Sequence, residues 1–91
     1  MRRILDFRGY LSGPSGTKEL VIWIDEPQQT PGQSHFHCTV GGSLLPQPMR
    51  IYGEDGQQAK TLAYSVVKKQ LTGQTLLDSN RRPTELPRLP T

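Results

Sequence analysis

Asp55-Gly56-Gln57-Gln58-Ala59-Lys60-Thr61-Leu62-Ala63-Tyr64-Ser65-Val66-Val67-Lys68-Lys69-Gln70-Leu71-Thr72-Gly73 decides the fold class. Ala59, Leu62, Ala63, Val66, Val67 and Leu71 recur at three- and four-residue spacing, which predicts a helix over residues 57–72 with one apolar stripe. Asp55 is a good N-cap, and Gln58 three positions later completes a capping box, because its side chain can reach back to a free backbone N–H. Lys68 and Lys69 fall where the helix dipole favours cations, and Gly73 where a helix leaves through a left-handed residue. Such a stripe must be buried, and the only partner the rest of the chain offers is one face of a sheet.

The sheet is read from the residues upstream. Residues 18–26 contain Leu20-Val21-Ile22-Trp23-Ile24, a continuous run of strand-forming side chains that suits a strand covered on both faces, and Pro27 ends it. Residues 2–10 alternate, with Leu5 and Phe7 on one face, and 12–17 (Ser-Gly-Pro-Ser-Gly-Thr) form the connecting turn. A third strand is expected over 34–41, where Phe36, Cys38 and Val40 alternate with His35, His37 and Thr39, and Gly41-Gly42 closes it. A fourth over 48–52 puts Met49 and Ile51 on one side and Arg50 and Tyr52 on the other; Pro46 and Pro48 before it favour a sheet edge. The expected architecture is α+β: an antiparallel β-meander of three to four strands packed against one C-terminal helix, in two layers. Residues 1–77 form the single domain of this reading, and 78–91, with three prolines and three arginines, form a flexible tail.

Ninety-one residues bound the rest, because they allow one small domain with a thin core. The net charge of +3 resides at the ends: Arg2 and Arg3 at the start, Arg81, Arg82 and Arg88 near the finish. Residues 4–80 hold six basic and seven acidic side chains, a balance of −1, which weakens a nucleic-acid reading of the folded body. The single cysteine, Cys38, has no internal disulfide partner. Asp6, Arg8 and Gly9 interrupt any apolar run after the N-terminus, so neither a secretion signal nor a membrane span is drawn, and a cytoplasmic location is the expectation.

Few groupings carry chemistry. His35 and His37 project to one side of their strand, the spacing by which two imidazoles share a metal, but no third histidine or second cysteine exists. The favoured reading is two histidines on a solvated strand face. Cys38 points the opposite way and reads as core, so a Cys–His catalytic pair is not formed. A two-histidine phosphodiester mechanism is conceivable, yet such groups flank a substrate and do not stand side by side. Neither glycine-rich turn, 13–17 or 53–56, has the lysine of a phosphate loop. The expectation is therefore no catalytic residue, no cofactor and no metal.

Trp23 supplies the leading hypothesis. If Leu20, Ile22 and Ile24 face the helix, the outer face collects Ile4, Arg8, Val21, Trp23, His35, His37, Arg50 and Tyr52. An open sheet face rich in aromatics and arginine has the composition of a protein interface core. Single-stranded bases stack on such faces as well. The competing reading turns Trp23 inward, or covers it with the segment around Leu76-Leu77. The tail contains Pro87-Arg88-Leu89-Pro90, a polyproline-type spacing read as a solvated terminus.

Arg50-Ile51-Tyr52-Gly53-Glu54-Asp55-Gly56-Gln57-Gln58-Ala59 resembles the strand-to-helix passage of small uncharacterised bacterial proteins in which a strand meander ends in a Gly-x-Asp-x-x-Gln-Ala helix start. The likeness runs loosely over residues 2–72. A fainter similarity is to HicB-type antitoxins, although Val40-Gly41-Gly42-Ser43 stands where those carry a Pro-Gly-Cys turn. Neither resemblance supplies a catalytic residue; small size, the absence of a catalytic grouping and the Trp23 face lead to the expectation of a protein-binding role of inhibitor, antitoxin or immunity type, through a protein partner or a second copy.

Overall fold

The structure, a computed structural model, describes residues 2–89. Met1, Pro90 and Thr91 lie outside the described residues, and with Pro90 goes the last position of the polyproline-type spacing. The fold is α+β. Strands β1 (Arg3–Gly13) and β2 (Gly16–Asp25) form a long hairpin, followed by β3 (Gln28–Gln29), β4 (Phe36–Gly42), β5 (Met49–Gly53), the helix α1 (Gly56–Gln70) and β6 (Thr75–Leu77). The sheet thus has six strands where three to four were expected. The additional two, β3 and β6, span two and three residues and are too short to leave an alternation in the sequence. Helix α1 is also not the last element, because β6 follows it.

All pairings are antiparallel: β1 lies between β2 and β6, and β4 between β5 on one edge and β2 with β3 on the other. Pro27 does not end the β2 edge. From Ile24 opposite Val40 to Gln28 opposite His37, one strand advances four residues and the other three, so a one-residue bulge absorbs the proline. The β1–β2 turn is confined to Pro14 and Ser15, tighter than the six-residue connector expected, with Gly13 paired to Gly16.

Alternation sorts the side chains. Leu5, Phe7 and Leu11 of β1, Leu20, Ile22 and Ile24 of β2, and Cys38 and Val40 of β4 are buried on the inner face. Ala59, Ala63 and Val67 close over them from α1, whose small residues bring its axis near β4 and β5. The Asp55 carboxylate accepts from the Gln58 N–H at 2.8 Å, and the Gln58 side chain accepts from the Glu54 N–H, one residue before the expected target.

The buried stripe is narrower than the sequence implied. Leu62 is 42 % exposed, and Tyr64, on the opposite flank, is half-buried. The reason is the C-terminal segment. The Thr84 N–H donates to the Leu76 carbonyl at 2.9 Å, and the chain then runs back along the Tyr64 flank, where the Tyr64 hydroxyl donates to the Pro87 carbonyl at 3.1 Å. Leu86 and Leu89 pack against the core there, so part of the cover that a wider helix stripe would give comes from the chain end.

Candidate functional site

The outer face of the sheet is assembled by register. Asp6 stands opposite Trp23, Arg8 opposite Val21, Trp23 opposite Gly41, His37 opposite Tyr52 and Thr39 opposite Arg50. Directly paired residues project to one side, so Arg8, Trp23, His37, Arg50 and Tyr52 share this face, as expected. His35, just before β4, joins them, its ring 5.4 Å from that of Tyr52 in an edge-on arrangement. Ile4 does not. The β1–β2 register slips between Arg3 and Leu5, and this bulge turns Ile4 against the core and brings Arg3 over the outer face in its place.

Three aromatic side chains are spread along the face, and two carry an arginine of the chain itself. The Arg3 guanidinium lies 4.8 Å from the Trp23 ring centroid and is steered by Asp6 at 3.5 Å and Asp25 at 3.9 Å. Trp23 is half-buried: its indole lies across Gly41, which has no side chain to lift it. The segment around Leu76 and Leu77 does not lie over it but extends the sheet beyond β1. At the far end Arg81 stacks on Tyr10, 4.7 Å from its centroid. A turn holds it there, in which the Asp78 carboxylate accepts from the N–H groups of Asn80 and Arg82 and Arg81 takes a left-handed φ of 62°. Tyr52 is the third aromatic, 48 % exposed, with no guanidinium stacked on it among the described residues.

Around Tyr52 the two histidines diverge in environment. His35 is half-exposed, whereas His37 is buried, and this corrects the expectation of two solvated imidazoles. Tyr52 covers the His37 ring at 5.7 Å, and the loop after β3 closes from the other side, placing the Thr30 hydroxyl 3.2 Å from Nδ1. Burial, then the charges of Arg50 and His35, hold the His37 pKa below its usual 6.5. Cys38 points inward, fully buried, and burial pushes its thiol up to about 11, far from a reactive thiolate. Among the described residues no three His, Cys, Asp or Glu side chains converge on one point.

Arg8, Trp23, His35, His37, Arg50 and Tyr52, singled out in the sequence, thus share one face with Arg3, Tyr10 and Arg81, which the sequence reading did not include. Tyr10 was legible from parity with Asp6 and Arg8. Arg3 required the bulge and Arg81 the chain-end turn. No helix among the described residues is long and apolar enough to cross a membrane. In comparisons with known proteins the chain matches no family model, no curated protein and no solved structure.

Proposed function

We propose that the protein is a small non-enzymatic binding domain whose outer sheet face engages a protein partner, in a role of inhibitor, antitoxin or immunity type. The observation that supports this reading is the row of aromatics Tyr10, Trp23 and Tyr52 on one face, interleaved with Arg3, Arg8, Arg50 and Arg81. Aromatic and arginine side chains are the types that dominate interface energetics, and a rigid sheet presents them at little entropic cost. The acids Asp6, Glu19 and Asp25 alternate with the arginines on the same face and favour a mixed-charge protein surface over a polyanion such as single-stranded nucleic acid.

The reading is tested by affinity capture with wild-type protein and with Arg8→Glu combined with Trp23→Ala. The expected result is a partner retained by wild type and lost by the variant, with unchanged far-ultraviolet circular dichroism. Retention by both would refute the assignment of this face, and binding of oligonucleotides that collapses with added salt would favour the nucleic-acid alternative.

A further inference from the structure

We propose that β5 is the seam of a homodimer, in which the strand pairs antiparallel with its own copy across a two-fold axis at Ile51. This goes beyond the reading above, sharing with it only Arg50 and Tyr52. Strand β5 pairs with β4 along one side and has no partner along the other among the described residues, so its outer backbone groups form an unmatched row. Unprotected edges of this kind invite a further strand. Proline precedes β5, at Pro46 and Pro48, but none interrupts Met49–Gly53.

The five residues are complementary to themselves in one register. A two-fold axis normal to a sheet preserves its faces, so a strand residue must stand opposite its own copy at the centre. Centring on Ile51 uses the whole strand. Ile51 then meets Ile51, Met49 meets Gly53, and Arg50 meets Tyr52, twice. On the outer face each arginine lies beside the other chain's Tyr52, the one aromatic of the face that lacks a guanidinium. On the inner face Met49, 39 % exposed, comes diagonally beside the other chain's Ile51, while the space over Gly53 is already held by the Ala59 backbone of its own chain. Centring on Arg50 instead would oppose two arginines, and centring on Tyr52 would place Met49 opposite Asp55 and Arg50 opposite Glu54, both of which lie beyond the strand.

Helix α1 is turned to match. Leu62 lies about 200° around the helix from Tyr64, on the flank away from the C-terminal segment. That segment borders β6, at the opposite end of the sheet from β5. The exposed Leu62 is therefore on the β5 side, where a second copy would cover it.

Sedimentation equilibrium decides the matter. Wild type is expected at twice the chain mass. Arg50→Glu (which removes the stacked cation) and Tyr52→Arg (which opposes two arginines) each act twice across the axis and are expected to weaken dimerisation about tenfold. The double variant Arg50→Glu/Tyr52→Arg pairs Glu with Arg across the seam and restores it. Ile51→Cys, with Cys38 sealed in the core, is expected to give a covalent dimer on mild oxidation even if the charge variants fold poorly. A wild type that stays monomeric at millimolar concentration overturns the proposal, as does a dimer insensitive to the single charge variants or unrestored by the double one. Arg8→Glu/Trp23→Ala should still dimerise; if it alone dissociates, the outer face and not β5 is the seam. Loss of a captured partner with the dimer intact bears only on the face.

Discussion

Trp23 and Gly41 stand opposite each other in the β2–β4 ladder, and the indole of Trp23 lies across the bare Cα of Gly41, so close that a methyl group there would overlap its six-membered ring. This contact explains how a sheet face turned away from the helix keeps a tryptophan ordered. The ring is packed from below by backbone and from above by Arg3. The next residue, Gly42, is constrained differently: its φ of 138° is in the region that favours glycine, and a Cβ would strike the Val21 carbonyl.

Gly41→Val therefore tests sterics without backbone strain. The valine side chain lifts Trp23 from the sheet and away from Arg3. The expected loss is about 1–3 kcal/mol of unfolding free energy by denaturant titration. Trp23 is the only tryptophan, so a red-shifted and more quenchable emission reports the same event.

Acid pH acts through His37. Its folded pKa lies below the 6.5 of the unfolded chain because burial beneath Tyr52 and the nearby charges of Arg50 and His35 oppose protonation. Below pH 6.5 the unfolded state binds a proton that the folded state refuses, so stability is full above that pH and declines as pH falls toward the folded pKa. Urea midpoints at about pH 7.5 and about pH 5 should differ in wild type, and the difference should shrink in His37→Asn. An equal slope in both proteins would assign the effect elsewhere.

Removal of the helix cap should be visible in isolation. Asp55→Ala leaves the Gln58 N–H without its 2.8 Å acceptor, at an expected cost of about 1 kcal/mol. Asp55→Ser, which retains an acceptor, should recover most of it. Thermal melts followed at 222 nm compare the three proteins.

The C-terminal segment is expected to contribute to stability as a part of the core cover. Deleting the residues after Pro83 removes Leu86 and Leu89 from the core and the partners of the Tyr64 hydroxyl. Burying an aliphatic side chain is worth about 1.5–3 kcal/mol when complete, so a lowered melting temperature is expected with the helix signal retained. Tyr64→Phe, which loses only the hydroxyl contacts, should show a small part of the effect. A deletion with no change in melting would mean that the segment is undocked in solution.

Local signals in the sequence determined the helix, its capping box and, beyond the bulge at Arg3 and Ile4, the alternation of faces along β1, β2, β4 and β5. Both periodicities are backbone geometry, and the buried Leu, Ile and Val positions record them. Hence Arg8, Trp23, Arg50 and Tyr52 could be assigned to one surface before any pairing was known. Tertiary structure decided the rest, because it depends on pairings between distant residues too brief to leave a period. The bulge at Ile4 gave Arg3 its place on Trp23, and the three-residue pairing of β6 brought the chain end back along α1. That return covers one flank of the helix and leaves Leu62 on the other. The loop after β3, anchored by two residues, buried a histidine that alternation alone had placed in water.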